Sequence, residues 1–268
     1  MSATQVFIEG VGLNGPGLPD WPTACAVLAG QAAHVSQPTT LAAPTGLPPA
    51  ERRRVGNLVK LALGVASEAV AASGQPADTL ASVFASSSGD GDICHALCEA
   101  LAGDRLISPT RFTNSVHNAP SGFWGIVSQA VMPSGTLCAY DGSFGAGLLD
   151  ALTQASVDGR TVLLVSYDAP YPSPLSEARP VREAMGVGLV LSPARTSRSL
   201  ASLRVALCDA PPDVLPVASL EALRQGIPAG RALPLLQALA SLPGKPAQRV
   251  VLDYLNGRQL ALEVQACN

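Results

Sequence analysis

Residues 134–169 read SGTLCAYDGSFGAGLLDALTQASVDGRTVLLVSYDA and contain the clearest structural pattern in the chain. A short strand is predicted at 135–139, and the small and apolar residues of 143–157 predict a helix. The near-continuous apolar run at 161–168 is typical of a strand that is covered on both faces of its sheet. The stretch therefore predicts a strand, a helix and a second strand of a layered α/β fold.

Outward from this stretch, predicted strands and helices continue to alternate. Short apolar runs predict further strands at 5–13, 81–86, 186–193 and 202–208. Helical spacing of apolar residues predicts helices at 21–29, 54–72, 93–102 and 121–131. A polar loop is expected at 112–122. Because aromatic residues make up only 4% of the chain, Ala, Leu and Val must build its core, and the many small residues allow helices to approach the sheet closely.

The C-terminal tail has a different pattern. Residues 209–247 are rich in proline and predict short helices joined by loops. VVLDYL and RQLALEV then flank Asn256-Gly257, which predicts a β-hairpin with a type I′ turn. We expect residues 1–208 to form the main domain and residues 209–268 to pack on that same domain.

Composition excludes several functional classes. The chain is 47% hydrophobic and 14% charged, and its net charge of −3 gives no sign of binding to nucleic acid, which needs a basic face. It has no apolar run of membrane-spanning length and no leader-like start. Its six cysteines and three histidines form no metal-ligand spacing. We therefore predict a cytoplasmic protein without a metal or a cofactor, and without a nucleic-acid or membrane partner.

Three short motifs do not complete a known site. GVGLNGPG lacks the helix-opening third glycine of a dinucleotide-binding loop, and SSSGDGD is not followed by the Gly-Lys of a phosphate-binding loop. YDGSFG is not the Gly-x-Ser-x-Gly turn of hydrolases. None of the three therefore predicts a function.

Seven segments, taken in order, resemble the N-terminal half of the β-ketoacyl synthase family of the thiolase superfamily. Besides residues 134–169, which resemble the family's nucleophile strand, turn and helix, they are IEGVGLNGPG (8–17), WPTACAVLAG (21–30), ERRRVGNLVKLALGVASEAVAASG (51–74), VFASSSGDGD (83–92), ISPTRFTNSVHNAPSGFWGI (107–126) and MGVGLVLSP (185–193). The resemblance implies a thiolase-like layered α/β fold, here truncated to one recognisable half with a C-terminal β-hairpin. It also implies dimers that act on acyl carrier protein thioesters.

The residues that such an enzyme needs for condensation are missing. Condensation requires a cysteine thiolate at a helix N-terminus, and the resemblance adds two histidines from the second half. This sequence has no histidine after His117. Counting back from Asp150 and Ala151 places the family's cysteine position at Asp141, three residues after Cys138. We expect Asp141 to cap the following helix and Cys138 to be buried on a strand.

The resemblance and the missing residues together predict a non-catalytic, chain-length-factor-like subunit. It would form a heterodimer with an active β-ketoacyl synthase and bound the acyl tunnel in fatty acid or polyketide biosynthesis, of the aryl polyene type. Acyl carrier protein would be a further partner through the complex. The residues predicted at the interface or the acyl tunnel are Asn114, His117, Asn118, Phe123, Trp124 and Phe144.

Two alternatives remain. The first is a stand-alone acyl-thioester hydrolase or acyltransferase that uses Cys138 or Asp141 with His117. The second is a homodimer that binds acyl groups or carrier protein without chemistry. Activity of the isolated chain towards acyl thioesters separates the first alternative from the other two hypotheses.

Overall fold

The structure, a computed structural model, describes residues 5–242 and 245–267, and one mixed β-sheet runs through this described part. Pro243 and Gly244, which belong to the tail predicted as short helices and loops, lie outside it. The strands are β1 (Gln5–Asn14), β2 (Ala81–Ala85), β3 (Ser134–Leu137), β4 (Val162–Asp168), β5 (Met185–Ser192), β6 (Ala201–Cys208), β7 (Gln248–Leu255) and β8 (Arg258–Ala266).

The order of strands in the sheet is β3-β2-β4-β5-β1-β6-β8-β7. Strands β3, β2 and β4 run parallel to one another, and the remaining neighbours are antiparallel. Strand β3 is therefore one edge of the sheet and β7 is the other. Because the carboxyl ends of parallel strands meet at one side of a sheet, the residues that follow β2, β3 and β4 lie close together.

The helices agree with most of the sequence-based predictions. They are α1 (Trp21–Leu28), α2 (Pro49–Arg52), α3 (Asn57–Ser73), α4 (Gly91–Ala102), α5 (Pro109–Asn114), α6 (Ala119–Ser128), α7 (Ser143–Val157), α8 (Leu175–Ala178), α9 (Ala218–Gly226) and α10 (Leu233–Ala240). The Asp20 carboxylate caps α1 by accepting from Thr23 N at 2.8 Å. Helix α3 ends at Gly74, whose φ of +66° is left-handed, as a helix-terminating glycine requires.

The helices pack on both faces of the sheet. One core, on the α3 and α6 side, contains Leu58, Val65 and Phe123. The other core, on the α7 side, contains Phe144 and Leu148 together with residues of α1, α10, β7 and β8. The apolar residues of the tail therefore belong to the same core as those of α7, and the chain forms an α/β/α layered structure.

Glycines in β1 and β5 allow α3 to lie directly on the sheet. A Cβ added at Gly10 would collide with the Ala69 carbonyl oxygen, and one added at Gly12 or Gly188 would collide with that of Val65. Glycine is the residue that permits such a close backbone approach. The expectation that small residues bring helices close to the sheet is confirmed here.

The C-terminal hairpin is confirmed, but its turn is not type I′. Leu255 pairs with Arg258 across Asn256 and Gly257, and the register shifts between Asp253 and Leu255. Gly257 has a φ of +79°, whereas φ of Asn256 is not positive. A type I′ turn needs positive φ at both positions. The irregular residue before the turn changes the local twist, so the hairpin closes with only its glycine left-handed.

The segment predicted as a polar loop at 112–122 contains helices instead. Helix α5 covers its first residues, and α6 begins at Ala119 with Pro120 in the first turn, where proline is tolerated. Helix α6 ends at Ser128, because Gln129 adopts a left-handed φ of +58°. The helix predicted over 121–131 thus begins two residues earlier and ends three residues earlier.

Candidate functional site

The connection between β3 and α7 occupies the position at which the sequence comparison placed a nucleophile. A short 3-10 turn, Tyr140–Gly142, leads from the strand into the helix. The Ser143 hydroxyl closes this turn, since it accepts from Ala139 N at 3.0 Å and donates to the Tyr140 carbonyl at 2.7 Å. Tyr140 itself has a left-handed φ of +53°. We call residues 138–143 the elbow.

Asp141 does not cap α7, so that prediction is wrong. The N-cap position is Gly142, and it makes no side-chain capping bond. The Asp141 carboxylate instead accepts from Arg179 Nη2 at 2.7 Å, and its other oxygen lies 3.7 Å from Arg231 Nη2. Two guanidinium groups outcompete neutral backbone N–H groups for a carboxylate. The group at the nucleophile position is therefore held in ion pairs.

Cys138 is exposed rather than buried, which corrects the second expectation at this site. Strand β3 is a four-residue edge strand that ends at Leu137, so Cys138 follows the strand instead of lying within the sheet. Its thiol donates to the Ser87 carbonyl at 2.8 Å. The thiol thus lies beside the loop after β2 rather than at the start of α7.

His117 lies against the same loop. A Cβ added at Gly89 would be 3.2 Å from His117 Cδ2. The Nε2 atom is buried and has no hydrogen-bond partner within the described ranges. A general base must lie within hydrogen-bond reach of the group that it deprotonates. His117 Nε2 makes no such bond to Cys138 or Asp141, so the pair required by the hydrolase alternative is not assembled.

Asp168, which the sequence analysis did not select, ties two strand ends together. It is the last residue of β4 and is fully buried. Its Oδ1 accepts from Ser87 N at 2.8 Å and from the Ser86 hydroxyl at 3.3 Å. Burial raises the pKa of Asp168 to about 6, although the bonds from Ser87 and Ser86 oppose the rise. The signal available in the sequence was an acidic residue at the end of a near-continuous apolar strand.

The raised pKa of Asp168 predicts a specific pH dependence. The folded chain holds this proton more tightly than the unfolded chain, whose carboxyl has an ordinary pKa near 3.8. The stability from Asp168 is thus fully present below about pH 4 and is lost as pH rises through about 6. As pH rises between these limits, wild type loses this stability and Asp168→Asn does not. The free energy of unfolding of Asp168→Asn should therefore rise by about 2–3 kcal/mol relative to that of wild type. Urea unfolding of both proteins at several pH values measures this difference. If the free energies of unfolding changed in parallel with pH, the expectation would be contradicted.

Acidic and basic side chains form a continuous network that reaches the elbow from the tail. Arg224 donates twice to Glu221, at 2.8 and 2.7 Å, and once to Asp253 at 2.5 Å. Arg231 forms a second ion pair with Asp253 and lies near Asp141. We call the following residues the ionic network: Glu221, Arg224, Asp253, Arg231, Asp141 and Arg179. The network connects α9 and β7 to Asp141 in the elbow.

Strand β7 also packs directly on the start of α7. A Cβ at Gly142 would collide with the Tyr254 carbonyl oxygen, and one at Gly145 would lie 2.6 Å from that of Asp253. An open cleft of about 500 Å³ remains beside the elbow, lined by the Tyr140–Gly142 turn, Arg231 and the turn of the tail hairpin. The tail therefore packs closely against the start of α7 and forms one wall of this cleft.

Two of the predicted interface residues are polar and have local roles. Asn114 is buried, and its side chain donates to the Arg54 carbonyl at 3.0 Å. Asn118 is exposed, and its carbonyl accepts from the Ser121 hydroxyl at 2.8 Å. Asn114 thus attaches α5 to the chain ahead of α3, and Asn118 stabilises the start of α6.

The three predicted aromatic interface residues are buried inside this chain. Trp124 is 3% exposed and Phe123 is 8% exposed, and both pack in the core shared by α3 and α6. Phe144 is fully buried in the core on the α7 side. The expectation that a partner buries Phe123 and Trp124 is therefore wrong, because α3 and the sheet already cover them. Phe144 is covered on the α7 side of the sheet instead. A role of these residues at an acyl tunnel stays a prediction.

A different set of apolar side chains near this segment is exposed. Helix α4 buries none of its residues, and of residues 91–118 only Asn114 is buried. We call the exposed apolar residues of this region the 101–131 surface: Leu101, Leu106, Phe112, Val116, Ile126 and Val131. Helix α6 contacts the edge strand through Thr136, whose hydroxyl donates to that of Ser121 at 3.3 Å. The surface thus borders the exposed edge of the sheet.

The described residues were compared with the requirements of a membrane span and of a metal site. Among them, no helix is both long enough and apolar enough to cross a membrane. Across ranges 5–242 and 245–267, histidine, cysteine and acidic side chains form no group of three or more that could hold a metal ion.

Comparisons with known proteins agree with this architecture. The family model described as the N-terminal domain of β-ketoacyl synthase matches residues 22–218. No curated protein matches the sequence. A solved structure of a ketosynthase (ApeO) in complex with its chain length factor (ApeC) from Xenorhabdus doucetiae has a TM-score of 0.73 at 23% identity, over 97% of this chain and 99% of that chain.

Two further solved structures are similar. The ishigamide ketosynthase/chain length factor has a TM-score of 0.74 at 13% identity, over 99% of this chain and 100% of that chain. The AntDE:AntF complex, described as a type II acyl-carrier protein with its ketosynthase bound to the hexaketide, has a TM-score of 0.71 at 14% identity and the same coverage. These matches confirm the predicted thiolase-like α/β fold.

Proposed function

Because the chain belongs to the β-ketoacyl synthase family through its N-terminal domain, we propose that it is a synthase-like subunit without condensing activity of its own. It pairs with an active β-ketoacyl synthase as a chain-length-factor-like partner in the cytoplasm. The complex extends acyl chains carried by acyl carrier protein in fatty acid or polyketide biosynthesis. The observation that carries this proposal is the pairing of Asp141 with two arginines, since Asp141 is the residue that the sequence resemblance aligns with the family's nucleophile.

The elbow argues against condensation by this chain. An acyl-enzyme intermediate in this family needs a thiolate at the start of the helix. Asp141 is engaged by Arg179, and Cys138 bonds to the Ser87 carbonyl instead of a base. Strand β7 also packs closely against Gly142 and Gly145 at the start of α7. The same contacts disfavour the hydrolase alternative.

The 101–131 surface supports a protein partner. Monomeric proteins rarely expose contiguous apolar patches larger than roughly a few hundred Å², and larger patches usually mark an interaction site. Phe112 and Val116 are 64% and 51% exposed and belong to consecutive turns of the chain beside the sheet edge. The solved structures that match this chain from end to end include ketosynthases described in complex with a chain length factor. We propose that the active synthase covers this surface.

The biosynthetic type is the narrowest part of the proposal. The resemblance noted in the sequence analysis favours aryl polyene or related pigment clusters, in which a synthase-like chain lacks the catalytic cysteine. In that setting the subunit limits the length of the acyl chain that its partner builds. Reconstitution with the synthase and carrier protein of such a pathway, followed by product analysis, tests this assignment separately from complex formation.

Complex formation is tested by charge substitutions on the 101–131 surface. We expect Phe112→Asp and Val116→Asp to reduce co-purification with the synthase by about 30-fold or more, since truncating a buried interface anchor costs roughly 2 kcal/mol. The matched control is Val214→Asp, which places a charge on an equally exposed valine of the tail. Its co-purification should equal that of wild type.

Three results would count against the proposal. The first is a wild-type chain that stays monomeric in the presence of its synthase. The second is equal behaviour of the surface variants and the control. The third is turnover of acyl thioesters by the isolated chain, which would favour the hydrolase or acyltransferase that uses Cys138 or Asp141 with His117.

A further inference from the structure

Tyr140 has a backbone conformation that its side chain disfavours. Its φ of +53° is left-handed, and a residue with a Cβ loses stability there, whereas glycine does not. Two other described non-glycine residues have positive φ, Arg105 and Gln129, and both follow the end of a helix. Tyr140 lies between a strand and a helix instead, so helix termination does not account for it.

Contacts within the chain do not explain why this position carries a tyrosine. The side chain is 60% exposed, so the fold gains little from burying the ring. Its clearest contact is with Arg179, whose guanidinium carbon lies 3.6 Å from the ring centroid. A cation–π contact at an exposed site stabilises weakly, and by less than a left-handed backbone typically costs a bulky residue. Glycine would serve the isolated fold at least as well.

The ring is nevertheless held in a defined orientation. Arg179 covers one face, and Arg179 is itself bonded to Asp141 at 2.7 Å, with only 18% of its side chain exposed. The opposite face of the ring is therefore presented to the outside by a rigid support. Aromatic residues that are ordered before binding lose little conformational freedom in a complex, which is why they recur as interface anchors.

The position of Tyr140 connects it to the proposed synthase interface. It follows the edge strand β3, which contacts α6 through Thr136 and Ser121. Cys138, two residues before it, bonds to the loop that leads into α4. His117, which follows Val116 of the 101–131 surface, lies against the same loop, so Tyr140 and that surface lie at the same end of the edge strand.

We infer that Tyr140 is an anchor for the active synthase, which receives the uncovered face of the ring in an apolar depression of its own surface. This inference rests on the proposed function. It adds that Tyr140 sets how the two subunits are positioned against each other at the elbow. It explains why a strained position retains a large aromatic side chain. It also gives a role to the Arg179–Asp141 pair, which supports the ring from behind.

Two substitutions separate binding from folding. Tyr140→Gly removes both the ring and the backbone strain, so the isolated chain should unfold at a temperature equal to or above that of wild type. Its affinity for the synthase should fall about 30-fold or more. Tyr140→Phe keeps the ring and serves as the matched control, with an affinity within about threefold of wild type. Thermal unfolding and titration of the full chain against purified synthase measure both quantities.

Each other outcome has a definite meaning. Unchanged affinity of Tyr140→Gly, with wild-type binding intact, overturns the anchor and leaves the proposed function standing. A wild-type chain that does not bind the synthase overturns the proposed function and the anchor with it. A markedly lower unfolding temperature of Tyr140→Gly shows that the ring serves the fold alone. If wild type self-associates and Tyr140→Gly does not, the ring binds a second copy of this chain rather than the synthase, and the anchor proposal is overturned.

Discussion

Asp253→Ala is expected to destabilise the folded chain by about 3–5 kcal/mol, the usual cost of removing one partner from a buried ion pair. Asp253 binds two arginines, and Arg224 is only 7% exposed. Without the carboxylate, both guanidinium groups remain inside the protein with less compensation. Urea unfolding at neutral pH measures the loss.

The matched control for this substitution is a pair on the surface. Asp209 and Arg258 form an ion pair at 3.2 Å, with side chains 77% and 59% exposed. Exposed pairs of this kind contribute between 0 and about 1 kcal/mol. Asp209→Ala should therefore have little effect. Similar losses for Asp209→Ala and Asp253→Ala would show that the ionic network does not stabilise the fold.

The same network has a predictable pH dependence through Glu221. Hydrogen bonds from Arg224 lower the pKa of Glu221 to about 2, from an ordinary value of 4.5, although burial opposes the change. Because the folded pKa is lowered, the stability from Glu221 is present above about pH 4.5 and is lost as pH falls towards 2. Acid should therefore weaken the bonds of Glu221 to Arg224 and Leu215 within the tail and lower the free energy of unfolding, which urea unfolding between pH 2 and about 5 measures.

Gly12→Val should prevent stable folding, with a loss above the roughly 1–3 kcal/mol that overpacking usually costs. A Cβ at this position would overlap the Val65 carbonyl oxygen and lie 2.9 Å from Ala69 N, both in the backbone of α3. No side-chain rotation relieves a collision with backbone. The helix would have to lift from the sheet and expose the core beneath it. Circular dichroism and the yield of soluble protein measure the effect.

Gly64→Ala is the control on the opposite side of the same helix. A Cβ at Gly64 meets no atom within 4 Å. Alanine in an exposed helix interior is favoured over glycine by about 1 kcal/mol, so this variant should be more stable than wild type. If Gly12→Val folded as well as Gly64→Ala, the glycine contact between β1 and α3 would not matter.

Elements with a strong local pattern were predictable from the sequence. Helix α7 has the predicted bounds because its small and apolar residues repeat at helical spacing over four turns. Strand β4 is fully buried and begins with four apolar residues, and Gly74 follows the last residue of α3 as expected. Helix α5 was missed because its six polar and apolar residues are too few to show a period.

The site was less predictable because its contacts join distant parts of the chain. Aspartate is a preferred residue type at N-cap positions, which is why Asp141 was expected to cap α7. Its partner Arg179 is 38 residues away, and Arg231 belongs to the tail. Trp124 could equally have been an interface residue or a core residue, since hydrophobicity alone does not say which surface covers a side chain. Only the packing of α6 on α3 decides that question.

The position of β1 inside the sheet constrains how the protein is made. Phe7 pairs with Ser192 in β5 and with Ser202 in β6, so β1 has no neighbouring strand until β5 and β6 have been made. Contacts between such distant residues make folding slow and leave apolar segments open to aggregation during synthesis. The nascent chain therefore depends on late completion of the sheet centre, and chaperones have a long interval in which to bind it.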